Sequence, residues 1–321
     1  MTEQMRTVRF HEYGEPKDVL RYETAPVPEP GPGRIRVTVH AAGLAPADWA
    51  LVRGLFAGSL PRGIGCDVAG IVDAIGDDVT GVEIGDAVFG TADWANSPSA
   101  GASEKAVMNR WFPIPAGLDF AHAAALPMTV DTAYLHLQLL GLDEGKTILI
   151  HGAGSTIGFA AVQIALIRGL HVIATAGETY AQHLRDFGAL VTSYGDGMVE
   201  RVAELSAAPV DLVLDTSPVG GALPDLITIA GGDPQKVLTI SDFQAAAELG
   251  ARGSFTETIP ERVEALPEFA QLTAEGKFQV PIAATFPLEQ WETALEISLG
   301  GNARGKLVLL PGKDTTDVSH A

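Results

Sequence analysis

A strand, a tight turn and the start of a helix follow one another between residues 147 and 168. A helix N-terminus offers free N–H groups and the positive end of a dipole, which bind a dinucleotide pyrophosphate, and small residues let the phosphate approach the backbone. We therefore predict a nucleotide cofactor here; a turn that serves only close packing is the alternative. The predicted contacts are Gly152, Gly154, Ser155, Thr156, Ile157 and Gly158.

The end of the second predicted strand favours NADP(H). This strand, residues 169–176, ends close to the ~20-residue offset at which NAD enzymes place an acid for the ribose hydroxyl. Small residues stand there instead, so a ribose 2′-phosphate meets no repulsion. Glu178 is the one nearby acid, and we expect it to begin the next helix and face water. With no Lys or Arg immediately beyond, the predicted contacts are Thr175, Ala176, the amide of Gly177, and Tyr194.

Two compositional regimes divide the chain. Residues 1 to about 120 are rich in Gly and Pro, with short alternating runs such as 34–40, which places Ile35, Val37 and Val39 on one face. From 121 to about 285 the pattern predicts helices alternating with aliphatic strands, which indicates a doubly wound parallel sheet and an α/β fold. The predicted helices are 120–140 and 159–168, and the predicted strands are 148–150, 172–174, 212–214 and 237–240.

The composition argues against several functional classes. The 321 residues are 46% hydrophobic and 19% charged, which is typical of a folded chain long enough for two domains. A net charge of −19 predicts no nucleic-acid partner, because such binding needs clustered Lys and Arg. Apolar stretches end well short of the ~20 residues of a membrane span, so no membrane is expected. One cysteine and an N-terminus without signal-peptide character favour the cytoplasm.

Several further segments carry motifs, in order along the chain. In the first domain they are residues 41–48 with Arg53 and Gly54, a G-x-D-x-A-G pattern at 65–70, and a V-x-G-x-x-x-G-D-x-V pattern at 79–88. Later segments are 124–134, 184–189, 210–216 and 303–306. Together they resemble the zinc-independent medium-chain dehydrogenase/reductases of the quinone oxidoreductase (zeta-crystallin-like) type.

The resemblance implies an architecture. A GroES-like β-barrel domain is expected from residues 1–120 and 286–321, a Rossmann domain from 121–285, and an active site between them. It also implies a homodimer in which Rossmann sheets join edge to edge, with 237–240 as the candidate last strand. Three positions depart from the family pattern, since Ser155 and Thr156 replace common glycines and Ala45 replaces a common Asn. The hydroxyls can still bond phosphate, whereas Ala45 indicates altered substrate choice or reduced catalysis.

The motifs that carry the resemblance also bear on metal binding. The catalytic ligand positions of metal-dependent relatives fall at Ala45, Cys66 and Met128, with Asp67 beside them. Only Cys66 and Asp67 can ligate, and two adjacent ligands cannot close a zinc site. We therefore predict no metal, and we expect Cys66 to be a small buried residue. His151, which ends the strand before the turn, is predicted to have a structural role rather than that of a general acid.

Without a metal, an isolated ketone is hard to reduce, whereas conjugation in a quinone or α,β-unsaturated carbonyl spreads the developing charge. Aromatic side chains could stack such an acceptor and donors could steady its oxygen; the predicted contacts are Trp49, Arg53, Phe56, Trp94 and Thr129. The alternative for Trp49 and Phe56 is a place in the barrel core, and the alternative for Arg53 is an ion pair with Asp48 or Asp67. Thr132 is predicted on the nicotinamide side, with a hydroxyl bonded to its own helix as the alternative.

Three functions remain open from the sequence. The leading hypothesis is an NADPH-dependent oxidoreductase that transfers hydride directly to a quinone or an activated alkene, with solvent as the proton source. The second is an enoyl-thioester reductase on the same fold, against which the scarcity of basic residues argues. The third is a weakly catalytic NADP(H)-binding redox sensor, which Ala45 and the altered turn suggest.

Overall fold

The computed structural model describes residues 3–206, 209–258, 263–301 and 303–312. Contacts divide the chain into two units: unit 1 is Met1–Met128 with Leu266–Ala321, and unit 2 is Thr129–Ala265. The domain limits at 120 and 286 stay a prediction. In the described residues no helix combines the length and the apolar character needed to cross a membrane.

Unit 1 is built mainly from antiparallel strands that close into a barrel. Strand β3 (Ile35–Leu44) pairs with β5 (Asp67–Ile75), β5 with β6 (Ala87–Ala92), β6 with β7 (Lys105–Pro113), and β7 again with β3. Strand β15 (Lys306–Leu310) also pairs with β3. The remaining strands of unit 1 are β1 (Gln4–Phe10), β2 (Leu20–Pro26), β4 (Arg62–Gly63) and β14 (Ile282–Pro287). This arrangement confirms the predicted GroES-like barrel.

The alternation of apolar and polar residues explains how β3 is oriented. Ile35, Val37 and Val39 are at most 1% exposed, as predicted, while Arg36 and Thr38 between them donate to Asp73. Further along the strand small residues replace the alternation. They are needed where a helix approaches: a Cβ at position 43 would lie 2.4 Å from a helical carbonyl oxygen of residue 124.

The predicted helix at 120–140 is two helices, α3 (Phe120–Ala125) and α4 (Pro127–Leu140). The single-helix prediction is wrong because Pro127 has no N–H and its ring clashes with the preceding turn, so it begins a new helix instead of continuing the first. Asp119 caps α3 by accepting from the His122 amide at 2.9 Å. The other helices of unit 1 are α1 (Pro16–Val19), α2 (Pro46–Val52), α10 (Leu266–Ala274) and α11 (Trp291–Leu299).

Unit 2 is a parallel sheet with helices, in the strand order β10-β9-β8-β11-β12-β13. This is the order of a doubly wound dinucleotide-binding fold, which confirms the Rossmann prediction. The strands are β8 (Thr147–His151), β9 (His171–Thr175), β10 (Leu190–Thr192), β11 (Leu212–Asp215), β12 (Val237–Thr239) and β13 (Arg252–Gly253). Its helices are α5 (Thr156–Ile167), α6 (Glu178–Asp186), α7 (Met198–Leu205), α8 (Leu223–Ile229) and α9 (Phe243–Leu249).

The edge of this sheet differs from the prediction. Strand β12 covers most of the predicted strand 237–240, but β13 pairs in parallel beyond it, so β12 is not the last strand. A two-residue strand carries no periodicity that a sequence pattern can reveal. By contrast, Ile148, Leu149 and Ile150 of β8 are fully buried, because a central parallel strand is covered on both faces.

Candidate functional site

The glycine turn (residues 152–158) is shaped by two crowded glycines and one open glycine. Gly152 has φ +73°, and a Cβ there would lie 2.6 Å from the Ser217 nitrogen. A Cβ on Gly158 would lie 2.5 Å from the carbonyl oxygen of Gly152. Gly154 is exposed, and nothing lies within 4 Å of the position its Cβ would take. Gly152 and Gly158 are therefore tightly packed against neighbouring backbone, whereas Gly154 faces open space.

Ser155 has a defined role in this turn. It is the N-cap of α5, and its hydroxyl accepts from the Gly158 amide at 3.0 Å and donates to Thr216 Oγ1 at 3.3 Å. The hydroxyl that replaces a common glycine is thus used to build the helix start. The amides of Thr156 and Ile157 lie in the first turn of α5, where the helix itself offers them no carbonyl acceptor. They therefore remain donors for an anionic ligand.

Buried polar side chains stand at the carboxyl ends of the parallel strands. Thr175 Oγ1 lies 2.8 Å from His151 Nδ1 and accepts from the Gly152 amide at 3.3 Å. Asp215 accepts from Thr239 Oγ1 at 2.8 Å. Burial lowers the pKa of His151 and raises the pKa of Asp215, so the imidazole is neutral near pH 7. These contacts fix the strand ends next to the glycine turn, and they favour the structural role predicted for His151.

The predicted contacts for the 2′-phosphate lie in two places. Thr175 is fully buried beneath the turn, whereas Ala176 donates its amide to the Thr192 carbonyl at 3.1 Å. Gly177 and Tyr194 come together: a Cβ at Gly177 would lie 3.7 Å from the Tyr194 hydroxyl, and Tyr194 is 59% exposed. Glu178 begins α6 and is exposed, as predicted.

A cation that the sequence reasoning missed holds the loop of Tyr194. Arg201 on α7 donates to four consecutive backbone carbonyls, at residues 193 to 196. Its position more than 20 residues beyond the strand end hid it from a search for a basic residue immediately after that strand. The guanidinium fixes the loop that carries the tyrosine.

Helix α4 carries the two predicted threonines. Thr129 is 2% exposed and Thr132 is half-buried. The Thr132 carbonyl accepts from His136 Nδ1 at 2.6 Å. Burial lowers the pKa of His136, although the Thr132 carbonyl and the charge of Glu257 raise it. The roles predicted for the two threonines stay predictions.

Two predicted substrate contacts of unit 1 lie together. The rings of Phe56 and Trp94 have centroids 6.4 Å apart, and Phe56 is 59% exposed, so its alternative role in the barrel core is wrong. Trp49 is 2% exposed, packs in the barrel core and donates Nε1–H to Ser298 Oγ at 2.7 Å. The placement of Trp49 therefore favours packing.

Arg53 makes an ion pair that the sequence did not predict. Its guanidinium binds Glu15 at 2.9 Å, and both side chains are substantially exposed. The alternative partners Asp48 and Asp67 are wrong, because both carboxylates are buried and bonded elsewhere. A different arginine, Arg62, lies near the aromatic pair, with its guanidinium carbon 5.6 Å from the Trp94 ring centroid.

The positions aligned with metal ligands do not fit zinc. Asp67 accepts from Lys306 Nζ at 2.7 Å and from the Met128 amide at 2.9 Å, so an ammonium group pairs with the carboxylate. Cys66 is buried as expected, and burial together with the charges of Asp48 and Asp67 raises its thiol pKa well above the usual value. A protonated thiol is a poor ligand. The residues that the structure describes hold no group of three or more His, Cys, Asp or Glu able to bind a metal.

Comparisons with known proteins cover nearly the whole chain. Residues 31–121 match the model of the alcohol dehydrogenase GroES-like domain, and residues 171–309 match that of the zinc-binding dehydrogenase family. A quinone oxidoreductase of Pseudomonas aeruginosa is 30% identical over 95% of this chain and 99% of its own. The solved quinone oxidoreductase of Coxiella burnetii is 28% identical, with a TM-score of 0.80 over 96% of this chain and 99% of that one.

A further similarity is to part of a much larger protein. Over 305 residues the chain is 32% identical to the spectinabilin polyketide synthase system protein NorB of Streptomyces orinoci. The matched region covers 89% of this chain but 14% of that protein. The likeness is thus to one segment of a longer polypeptide.

Proposed function

Because the chain belongs to the quinone oxidoreductase family of the medium-chain dehydrogenase/reductases, an oxidoreductase family that uses a nicotinamide cofactor, we propose that it is an NADPH-dependent reductase of quinones or α,β-unsaturated carbonyl compounds. The observation that carries the cofactor part is the glycine turn, with the exposed Gly154 beside the N-terminus of α5. The Thr156 and Ile157 amides would hold the cofactor's pyrophosphate there.

The choice of NADP(H) over NAD(H) is supported by the end of β9. Gly177 has no carboxylate that would repel a 2′-phosphate, and the exposed Tyr194 hydroxyl next to it is the proposed donor to that phosphate. Arg201 keeps the Tyr194 loop in place through its backbone carbonyls.

When bound, the nicotinamide would supply the hydride that reduces an electron-poor carbon of the acceptor. Phe56 and Trp94 of unit 1 are the proposed stacking surface for the flat acceptor, and solvent supplies the proton. We propose that the reaction needs no zinc, since Lys306 pairs with Asp67 and the Cys66 thiol is protonated. Conjugation carries the developing charge to an oxygen, where hydrogen-bond donors or water suffice.

The experiment is a titration of metal-stripped protein with NADPH and with NADH, followed by stopped-flow oxidation of the bound cofactor. The acceptors are 1,4-benzoquinone and an enone. Tighter binding of NADPH and rapid oxidation by either acceptor are the expected results. A preference for NADH overturns the cofactor assignment, and a requirement for added zinc overturns the metal-free reaction. NADPH binding without oxidation by any acceptor favours the redox sensor instead.

The likeness to a polyketide synthase protein supports a second candidate, reduction of an enoyl thioester. Crotonyl-coenzyme A and the shorter crotonyl-N-acetylcysteamine thioester distinguish the two candidates in the same assay. Faster oxidation of NADPH by either thioester than by the quinone and the enone establishes the second candidate.

The homodimer and the cytoplasmic location also remain proposals, and the mass of the particle in sedimentation equilibrium tests the first of these.

A further inference from the structure

Arg62 is a buried arginine that has no carboxylate partner in the part of the chain that the structure describes. The residue is 5% exposed, and its Nη1 donates to the Phe56 carbonyl at 2.8 Å. Its Nε is buried without a hydrogen-bond partner, and Arg62 forms no ion pair with any residue that the structure describes. Burying a charge is costly unless it is paired, so a lone guanidinium indicates that an anion outside the chain completes the site.

The surroundings of the guanidinium offset its charge only in part. Its carbon lies 5.6 Å from the Trp94 ring centroid, a cation–π distance, and Nη2 makes a long contact of 3.4 Å with the Ala95 carbonyl. A Cβ at Gly58 would lie 2.9 Å from Nη2. Gly58 is exposed and has no side chain, so residue 58 adds no side-chain atoms over the guanidinium.

The same arginine shapes the aromatic pair. Phe56 has φ +55°, a left-handed conformation that is uncommon outside glycine, and its carbonyl is the acceptor for Arg62 Nη1. On the other side of the 54–60 loop the Gly58 amide donates to the Tyr13 hydroxyl at 2.6 Å. The loop is thus held so that the Phe56 side chain is exposed, 6.4 Å from Trp94. An aromatic surface and a lone cation lie next to each other.

We propose that Arg62 determines specificity for planar conjugated acceptors that carry an anionic group, such as a carboxylate or sulfonate. The flat ring packs against Phe56 and Trp94, and the anionic group pairs with the Arg62 guanidinium on the Gly58 side. This inference rests on the proposed function for its acceptor, and on the buried charge of Arg62 for its specificity.

The test compares 1,4-naphthoquinone-2-sulfonate with neutral 1,4-naphthoquinone as acceptors for the wild-type protein, Arg62→Gln and Arg62→Lys. Because Arg62→Gln removes a charge-assisted hydrogen bond to the sulfonate, it should raise KM for the sulfonate about tenfold. KM for the neutral quinone should rise by a smaller factor, because Arg62→Gln also removes the Nη1 bond to the Phe56 carbonyl, and Arg62→Lys should restore part of the difference between the two quinones. The matched control is Arg21→Gln, an exposed arginine of the same unit.

Two outcomes overturn the inference. If Arg62→Gln raises KM equally for both quinones, Arg62 has only a structural role. If it changes neither KM, Arg62 does not contact the acceptor. Calorimetric binding of naphthalene-2-sulfonate against naphthalene-2-methanol separates this inference from the proposed function, because it needs no turnover. A preference for the sulfonate that disappears in Arg62→Gln supports Arg62 even if no quinone is reduced. If Arg62→Gln does not fold, the same comparison is made with Arg62→Lys, for which a weakened preference is expected and an unchanged preference contradicts the contact.

Discussion

Two glycines of the glycine turn have opposite surroundings and therefore opposite expected effects. Gly158→Ala places a Cβ 2.5 Å from both the Gly152 carbonyl oxygen and Thr216 Oγ1, which should destabilise the protein by about 1–3 kcal/mol. Gly154→Ala meets only open space, so the melting temperature without cofactor should not fall. If NADPH occupies that space, Gly154→Ala should weaken its binding about tenfold, as measured by calorimetry.

The control for this pair is Gly31→Ala, which also meets open space but lies in unit 1, outside the turn. It should change neither the melting temperature nor NADPH binding. Unchanged NADPH affinity in Gly154→Ala contradicts the placement of the pyrophosphate at the turn.

His136 makes the stability of unit 2 depend on pH. Burial lowers its pKa in the folded protein below the ~6.5 of an unfolded chain. As the pH falls below that value, the unfolded state takes up a proton that the folded state does not, so stability is lost with falling pH. His136→Leu should remove this contribution, which is up to about 1.4 kcal/mol per pH unit.

Urea unfolding of both proteins at pH 7 and pH 5 measures the effect. The wild-type protein should lose more free energy of unfolding between the two pH values than His136→Leu. Equal losses mean that His136 is protonated in both states or in neither. At pH 7 the variant should be no less stable than wild type, because it also removes a buried Nε2 that has no hydrogen-bond partner in the described residues.

At the residue level the sequence was most informative where chemistry is local. The glycine turn is one contiguous segment, and its pattern predicted a strand, a turn and a helix, although α5 begins at Thr156, three residues before the predicted start at 159. Arg62 and Lys306 were not recognised as site residues, because their importance depends on what surrounds them. The partner of Lys306 is 239 positions away in the chain, and Arg62 is notable only for lacking a carboxylate among the described residues.

At the level of elements, the buried ion pair of Asp67 and Lys306 connects β5 and β15. The two side chains are 2% and 4% exposed. Removing one partner leaves an uncompensated buried charge, so Lys306→Met should cost about 3–5 kcal/mol of stability. Replacing both residues, as in Asp67→Asn with Lys306→Met, should recover most of that loss, because neither charge then remains buried.

Thermal and urea unfolding of the single and double variants measure this coupling. The matched control is Lys277→Met, whose lysine pairs with Glu275 at an exposed position and should change stability by less than about 1 kcal/mol. If the double variant is as unstable as Lys306→Met, the loss of stability comes from the packing of the Lys306 side chain and not from its ion pair with Asp67.

Elements were predicted well where periodicity is long and poorly where it is short. Strands β8, β9 and β11 fall where aliphatic runs predicted them, because a central parallel strand is apolar on both faces. The break between α3 and α4 was missed although Pro127 marks it, because the apolar pattern continues through it. Strand β13 was missed because pairing with β12, rather than its own two residues, defines it.

For the whole molecule, the alternation of strands and helices and the ordered motifs were enough to predict both the barrel and the Rossmann sheet. The acceptor could not be predicted, because the side chains of the proposed binding surface come from segments that are distant in the sequence. Phe56 and Trp94 are 38 positions apart, and Arg62 lies between them in sequence without any local motif to mark it.

The central claim is direct hydride transfer from a nicotinamide to a conjugated carbon without a metal. It is tested by incubating chelator-treated protein with NADPH that carries deuterium at both hydrogen positions of nicotinamide C4 and with a cyclic enone, then locating the label by mass spectrometry and NMR. The product should contain one deuterium on the carbon β to the carbonyl. A product free of deuterium, or a reaction that proceeds only after zinc is added, contradicts the claim.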